Sequence, residues 1–249
     1  MTEQHRQHAI RLRLARSGER RPGPVLPTGF ATLDGALGVG GLPRGAIVEL
    51  FGPSSSGKTT LALRMVAHAQ RNRATAAWID AEHAFDASYA ASLGVAVNEL
   101  PLAQPESAEQ AMEIVSRLAG SGAVDLLIVD SAAALVPRLE LESALGESGA
   151  GLQNRVLASG LRRLALVVSR SAAVVVFLNQ TRSRMQASAD GAETSAGGPP
   201  LKLYASLRIS LDPPDGERVG FRILKNKLAA AFREGRLSRR HGEERTESP

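Results

Sequence analysis

The residues with the clearest chemical potential lie between positions 52 and 60, where the sequence reads GPSSSGKTT. This segment fits the pattern G-x-x-x-x-G-K-S/T, in which glycines let backbone N–H groups surround phosphates. The lysine of the pattern, Lys58, reaches the outer phosphates, and the hydroxyl of Thr59 binds Mg²⁺. We therefore predict a site for a nucleoside triphosphate with Mg²⁺. The residues of this phosphate loop are Gly52, Pro53, Ser54, Ser55, Ser56, Gly57, Lys58, Thr59 and Thr60.

Three carboxylates follow apolar runs that could bring them beside the phosphate loop. Asp130 ends the run LLIVD, where a carboxylate orients Mg²⁺ through water, and Asp80, at the end of another run, is the rival for that role. Glu82 lies just beyond Asp80, where it could polarise the water that attacks the γ-phosphate. We predict Glu82 as the general base, with a solvated loop carboxylate as the alternative.

A third strand end carries Gln180, whose amide could sense the γ-phosphate and pass that signal to the following loop. The segment 181–200 is small and polar and too long for an ordinary connection, so it is either functional or disordered. Arginines and glycines in this segment suit the phosphate backbone of a nucleic acid, with a disordered surface loop as the alternative. These residues are Arg182, Arg184, Gly197 and Gly198.

The scaffold for these residues must place several strand ends side by side. Short β-branched runs alternate with helical stretches, which indicates an α/β fold with a mostly parallel central sheet flanked by helices. In such sheets the carboxyl ends of the strands hold ligands. The predicted strands are 46–51, 75–79, 124–129, 172–178, 203–211 and 218–224. The predicted helices are 58–71, 86–93, 107–118 and 151–169.

The composition fits one domain without disulfides. A chain of 249 residues can bury a full core, and it contains no cysteine for disulfides or thiolate metal sites. No apolar run has the length of a membrane span or a secretory signal, so we expect a soluble, cytoplasmic protein. Residues 1–21 carry 6 Arg against 2 acids, and residues 225–249 carry 7 Lys or Arg against 4 acids. These basic ends either contact a polyanion or keep polar tails solvated.

Several further motifs surround the phosphate loop in a fixed order. Between positions 27 and 233 the sequence contains PTGFATLDGALGVGGLPRG, GPSSSGKTT, IDAEHAFDASYA, VDLLIVDSAAALVP, LNQTRSRM, GGPPLKLYAS and LKNKLAAAF. In order and spacing these motifs resemble the bacterial RecA recombinases. The resemblance implies a RecA-like P-loop NTPase core that forms a helical filament on single-stranded DNA. It also implies ATP bound with Mg²⁺ between subunits, and pairing of the bound strand with duplex DNA.

The resemblance implies roles for individual residues of the nucleotide site. Glu82 looks like the catalytic glutamate and Gln180 like the γ-phosphate sensor, while Asp86 and Tyr89 look like the adenine contacts. Only 4 of the 30 basic residues are lysines, and besides Lys58 all of them fall where the family reaches across to a neighbour's ATP. These three residues, the lysine cluster, are Lys202, Lys225 and Lys227.

The resemblance also implies two DNA-binding loops. Residues 147–155 resemble the first loop, and its matching positions continue into the next helix. Residues near 182–198 match the second loop, in which the apolar Met185 could wedge between base steps. The implied DNA-binding residues are Gly151, Arg155, Arg162, Arg182, Arg184, Met185, Gly197 and Gly198.

The resemblance ends near residue 233, which sets the expected division of the chain. We expect a basic N-terminal segment and linker at 1–27, an ATPase core at 28–233, and a disordered tail at 234–249, since the tail is too polar to form a core strand. The leading hypothesis is an ATP-dependent single-stranded-DNA-binding, recombinase-like protein of DNA repair and homologous recombination. As an enzyme it would be a DNA-dependent ATPase, and the resemblance links it to DNA damage and the SOS response. The alternative is a RecA-like accessory or regulatory ATPase, for example in translesion synthesis, that does not exchange strands.

Overall fold

The computed structural model describes residues 24–143, 151–182, 194–195 and 199–238. Its helices are α1 (Ala31–Leu37), α2 (Lys58–Arg71), α3 (Ala87–Ser92), α4 (Ala108–Gly120), α5 (Arg138–Glu142), α6 (Leu152–Val168) and α7 (Pro199–Tyr204). Its strands are β1 (Val25–Leu26), β2 (Leu42–Pro43), β3 (Ile47–Gly52), β4 (Ala76–Asp80), β5 (Leu102–Ala103), β6 (Leu126–Asp130), β7 (Val174–Arg182), β8 (Thr194–Ser195), β9 (Leu207–Leu211), β10 (Arg218–Asn226) and β11 (Glu234–Ser238). None of the described helices is both long and apolar enough to span a bilayer.

The central sheet runs in the order β11-β10-β9-β3-β7-β6-β4-β5, and β8 pairs with the end of β7. Strand β3, which leads into the phosphate loop, lies between β7 and β9 and is parallel to both. Strands β6, β4 and β5 continue the parallel arrangement, whereas β10 and β11 close the opposite edge in antiparallel fashion. The predicted α/β class with a mostly parallel sheet is confirmed.

Two apolar clusters hold helices against the two faces of this sheet. Side chains alternate across a strand, so Val48 and Leu50 of β3 face the cluster that contains α2. Ile47 faces the opposite cluster, which contains the buried sides of α4 and α6. Strand β3 is thus covered on both faces, which fixes the phosphate loop at its carboxyl end.

The helix predictions agree well with the observed bounds. The predicted helix 58–71 coincides with α2, and the other three predicted helices match α3, α4 and α6 within two residues at each end. Side-chain caps explain two of the starts. Asp86 accepts hydrogen bonds from the backbone N–H groups that follow it in α3, and Ser107 accepts one from Gln110 N in α4.

The predicted strand 203–211 was wrong at its beginning. Residues Pro199–Tyr204 form helix α7, and the strand begins only at Leu207. Two prolines open the helix, where a missing N–H costs no hydrogen bond. Leu203, which an inward-facing strand position would bury, is 67% exposed.

The expected disordered tail also needs correction at its first residues. Residues Glu234–Ser238 form β11, which pairs with β10 along its length. A single large apolar side chain is enough to anchor this strand, because Leu237 lies opposite Val219 and is buried. Pairing with β10 satisfies the backbone N–H and C=O groups. Residues 239–249 and the basic residues 1–21 of the N-terminal segment lie outside the described residues.

At the other boundary, β1 extends the packed core into the segment expected to be a linker. Its two residues pair antiparallel with β2, and Leu26 is buried in the cluster that contains α2. Core packing therefore begins slightly before position 28.

Candidate nucleotide-binding site

Two glycines, Gly52 and Gly57, allow the tight backbone conformation of the phosphate loop. Gly57 has a φ of 88°, a left-handed conformation that favours glycine, and it caps the start of α2. A Cβ atom on Gly52 would lie 2.6 Å from the carbonyl oxygen of Leu211 in β9, so no side chain fits there. The loop thus presents the N-terminus of α2, whose free N–H groups favour an anion.

Lys58 points into the loop that precedes it. Its Nζ donates hydrogen bonds to the carbonyl oxygens of Gly52 (3.0 Å) and Pro53 (2.7 Å) and to Ser56 Oγ (3.3 Å). Burial lowers the pKa of Lys58, and the nearby Asp130 and Glu82 act in the opposite direction. All three hydrogen-bond partners are neutral, so an anionic phosphate oxygen would be a stronger acceptor for this ammonium.

The predicted metal pair, Thr59 and Asp130, is brought together at the start of α2. Thr59 Oγ1 donates a hydrogen bond of 3.2 Å to Asp130 Oδ2 at the end of β6. Burial, together with the charge of Glu82, raises the pKa of Asp130 to about 6. A divalent cation would relieve this crowding of negative charge, and hydroxyl and carboxylate oxygens are the ligands that Mg²⁺ prefers.

Asp80, the rival candidate, is already occupied by the turn that follows β4. It is buried and accepts hydrogen bonds from the backbone N–H groups of Ala84 and Phe85, each at 3.1 Å. A third donor is the side-chain amide of Gln104, 2.9 Å from Asp80 Oδ2. These bonds favour a role for Asp80 in shaping the turn and leave Asp130 as the candidate for the metal.

Glu82, the predicted general base, lies on the turn after β4 with an exposed side chain. Its backbone N–H donates to the carbonyl oxygen of Asp130 (3.2 Å), and its carboxylate accepts a hydrogen bond from Ser131 Oγ. Ser131 therefore orients Glu82, a role that the sequence analysis missed. The only available sequence signal was a hydroxyl residue directly after Asp130.

Gln180 lies beside the phosphate loop, as its predicted sensor role requires. It is paired with Gly52 in the register of β7 and β3, and its backbone N–H donates to Asn179 Oδ1 at 2.9 Å. Strand β7 ends at Arg182, just before the segment 183–193, which lies outside the described residues.

The two predicted adenine contacts lie at the start of α3, and one of them contacts the phosphate loop. Asp86 accepts from the backbone N–H groups of Ser88 and Tyr89 and so fixes the start of α3. The Tyr89 hydroxyl lies 2.7 Å from Thr60 Oγ1 in a hydrogen bond. Thr60 therefore ties α3 to the phosphate loop, beyond the helix-opening position that the sequence indicates.

The lysine cluster lies away from the phosphate loop of the same chain. Lys225 Nζ donates to the carbonyl oxygens of Lys202 (2.8 Å) and Leu203 (3.1 Å) at the end of α7. Burial is the main cause that lowers the pKa of Lys225, and the charge of Lys227 adds to it. Strand β10 is antiparallel to β9, so its end at Lys225 is directed away from the loop edge of the sheet.

The predicted DNA-binding residues are only partly described. Gly151, with a φ of 85°, caps α6, and Arg155 is exposed on its first turns. Arg162 lies further along α6 and donates from Nε to the Tyr204 hydroxyl at 3.3 Å. Of Arg182 only the backbone, at the end of β7, is described. The remaining members, Arg184, Met185, Gly197 and Gly198, lie outside the described residues.

Comparison with known proteins agrees with this geometry. Residues 7–244 match the family described as RecA N-terminal domain. The chain is 48% identical over 228 residues to Protein RecA of Caldanaerobacter subterraneus subsp. tengcongensis, covering 88% of this chain and 67% of that protein. It is 48% identical over 223 residues to Protein RecA of Thermus thermophilus, covering 86% of this chain and 66% of that protein. It therefore spans about two thirds of the length of these relatives.

A solved structure shares the fold at much lower sequence identity. The crystal structure of the RadB recombinase superposes with a TM-score of 0.67 at 19% identity, covering 86% of this chain and 96% of the other. At that identity the likeness concerns the fold alone. The mostly parallel sheet with its flanking helices is thus shared with a recombinase.

Proposed function

The chain belongs to the RecA family, and on that premise we propose that it is an ATP-dependent single-stranded-DNA-binding protein of recombination and repair. In this proposal it works in the cytoplasm and hydrolyses ATP at the subunit interfaces of a filament. The observation that carries the proposal is the convergence of Lys58, Thr59, Asp130 and Glu82 at one edge of the sheet, beside Gln180.

The arrangement supports a simple route for hydrolysis. Lys58 binds the outer phosphates of ATP in place of its loop carbonyls and stabilises the charge that develops on them. Glu82, held by Ser131, takes a proton from the attacking water as the water oxygen bonds to the γ-phosphorus. The bond from that phosphorus to the bridging oxygen breaks, which gives ADP and phosphate.

Mg²⁺ fits the same site, since Thr59 Oγ1 and Asp130 Oδ2 lie 3.2 Å apart. Thr59 and Asp130 are the residues that would hold the ion, Thr59 through its hydroxyl and Asp130 through water. When bound, Mg²⁺ neutralises charge on the β- and γ-phosphates. The carboxylate of Asp130 must be deprotonated for this role.

The lysine cluster supports a site completed by a neighbouring copy. Its side chains gather positive charge at the end of β10, away from the loop edge of the same chain. Large apolar side chains nearby are exposed, namely Leu203 (67%), Leu228 (57%) and Phe232 (81%). Exposed apolar groups beside cations suit an interface with a second subunit that presents a bound nucleotide.

In the proposal, DNA contacts come from α6 and from the segment that follows β7. Arg155 and Arg162 on α6 provide cations for a phosphate backbone. Strand β7 ends two residues beyond Gln180, so in this proposal an amide contact with the γ-phosphate changes how the segment after β7 meets DNA. ATP would then control DNA binding through Gln180.

Binding to a labelled single-stranded oligonucleotide tests this proposal. Fluorescence anisotropy is measured with and without a slowly hydrolysed ATP analogue. We expect the analogue to tighten binding at least about tenfold, within the usual range of coupling between two ligands. Lys58→Ala is the control, because it should bind DNA equally with and without the analogue. Equal affinity in the unmodified protein would contradict the proposal.

Two further measurements separate the recombinase from the accessory ATPase. Electron microscopy of the protein on single-stranded DNA with the analogue should show regular helical filaments. A strand-exchange reaction with homologous duplex DNA should yield joint molecules. ATP-dependent DNA binding without strand exchange would instead favour the accessory or regulatory ATPase.

A further inference from the structure

A buried polar network crosses the centre of the sheet, outside the residues assigned to ATP or DNA. Glu49 in β3 is 0% exposed. Its Oε1 accepts a hydrogen bond from Asn179 Nδ2 at 2.8 Å, and its Oε2 accepts one from Arg208 Nε in an ion pair. A buried carboxylate persists in a core only when it is paired in this way.

One arm of the network reaches the nucleotide sensor. Asn179 is itself buried and directly precedes Gln180 in β7. Its amide nitrogen donates to Glu49, while its amide oxygen accepts from the backbone N–H of Gln180 at 2.9 Å. Both polar ends of the Asn179 side chain are therefore used, and they fix the backbone of Gln180 relative to β3.

The other arm reaches the lysine cluster. Arg208 in β9 lies opposite Lys225 of β10 in the sheet register. The Arg208 guanidinium also lies over the ring of Phe51, 4.6 Å from its centroid, which fixes its orientation. Without the Glu49 carboxylate, the Arg208 charge would act on Lys225 unopposed.

We propose that Glu49 is a positioning residue that couples the two halves of the ATP site. It holds Gln180 on one side and the Arg208–Lys225 strand pair on the other, so that nucleotide binding at the phosphate loop alters the lysine surface offered to a neighbouring copy. This inference rests on the proposed ATP site shared between copies.

Stability alone explains the network poorly. Apart from Glu49, all residues of β3 from Ile47 to Phe51 are apolar and buried. An apolar pair of similar volume at positions 49 and 208 would satisfy such a core at least as well, since replacing a buried ion pair in this way is often neutral or stabilising. A carboxylate with two directional partners instead fixes the relative positions of three strands.

Hydrogen exchange measured by mass spectrometry tests the coupling without any requirement for DNA. The dilute, DNA-free protein is compared with and without a slowly hydrolysed ATP analogue, and exchange is followed in the segments around Gln180 and Lys225. In the unmodified protein we expect the analogue to slow exchange in both segments by at least about fivefold.

Two variants separate coupling from folding. Glu49→Gln keeps the shape of the side chain and removes its charge, and the double variant Glu49→Met with Arg208→Met removes both charges and is expected to stay folded. In both variants the analogue should bind within about twofold of the normal affinity. It should slow hydrogen exchange around Lys225 by less than about twofold. Asp34→Asn is the matched control. It removes the charge of another partly buried carboxylate, one that lies near His68. His68 is about 15 Å from Lys58 along α2. This control variant should therefore keep the full response to the analogue.

Each outcome decides between the two claims. A full response around Lys225 in the double variant, or no response there in the unmodified protein, overturns the role of Glu49. A response that the variants lose, in a protein that binds no single-stranded DNA, supports the coupling and contradicts the proposed function instead.

Discussion

The two ends of the central sheet differ in the charge that they gather. At the loop edge, Asp130 and Glu82 lie close together, and burial with like charge raises the pKa of Asp130 to about 6. At the end of β10, burial and neighbouring cations lower the pKa of Lys225. A divalent cation would stabilise the first region, and an anion such as a phosphate would stabilise the second. In the proposed function, these two regions are the halves of one ATP site that forms between two copies of the chain.

The largest effect is expected from Lys58→Ala, which removes the only basic residue in the phosphate loop. ATP hydrolysis should fall by about a thousandfold, because the developing charge on the phosphates loses its buried ammonium. A steady-state phosphate-release assay measures this. A rate within about tenfold of normal would show that Lys58 at the loop edge does not stabilise the developing charge.

Glu82→Gln should separate binding from turnover at the loop edge. The amide keeps the shape of the side chain but cannot take a proton, so kcat should fall about a hundredfold. A fluorescent ATP analogue should bind with nearly unchanged affinity. Unchanged turnover would refute Glu82 as the base. Ser131→Ala should lower kcat by a smaller factor, because the carboxylate of Glu82 loses the hydrogen bond that orients it.

Lys225→Ala tests the other end of the sheet. Binding of a fluorescent ATP analogue to the dilute protein should be unchanged, since Lys225 lies away from the loop of its own chain. Hydrolysis on single-stranded DNA should fall about tenfold, because a neighbour's nucleotide loses a cation. Weakened analogue binding by the dilute protein would mean that the lysine cluster and the phosphate loop of one chain form the same site. The two ends of the sheet would then not be separate regions.

The pH dependence of metal binding should reveal the crowding of carboxylates. Because the pKa of Asp130 is raised from 3.8 to about 6, its metal-binding form dominates only above that pH. Mg²⁺-dependent analogue affinity should therefore be full near neutrality and fall up to about tenfold per pH unit below 6. The triphosphate itself titrates nearby, so Asp130→Asn serves as the reference. An identical pH profile in that variant would contradict the assignment.

The smallest effect concerns the edge strand β11, which supports the antiparallel side of the sheet. Leu237→Ala should lower the free energy of unfolding by about 2–3 kcal/mol, because a buried leucine leaves a cavity. Arg236→Ala, at an exposed ion pair one residue earlier, should change it by less than about 0.5 kcal/mol. Thermal or urea unfolding measures both. Equal effects would contradict the burial of Leu237.

The loop edge could be predicted from sequence because its determinants are local. The glycine spacing, the lysine and the apolar runs before Asp80 and Asp130 all act within a few residues, and α2 has the predicted bounds. The links between these segments could not be predicted in the same way. Ser131 and Glu82 are 49 residues apart, and they meet only because of the pairing of β4 with β6.

The antiparallel side was harder to predict, since long-range pairing decides its structure. The last two residues of α7 were predicted as the start of a strand, and its first two as part of the polar segment 181–200, so the carbonyl oxygens that bind Lys225 were not foreseen. Residues Glu234–Ser238, with Leu237 as their one large apolar side chain, form β11 because β10 offers a free edge with one apolar position to cover. Glu49 was missed because it stands inside an apolar strand, with partners 130 and 159 residues away.

The most direct test of the shared ATP site is to mix two variants that are each impaired in hydrolysis. Lys58→Ala keeps the lysine cluster, and Lys225→Ala keeps the phosphate loop. In a head-to-tail assembly from an equal mixture on single-stranded DNA, about a quarter of the interfaces combine both intact halves. If ATP binds between two copies, ATP hydrolysis in the mixture rises to about that fraction of the normal rate. A mixture no more active than the sum of its two components would contradict a site shared between copies.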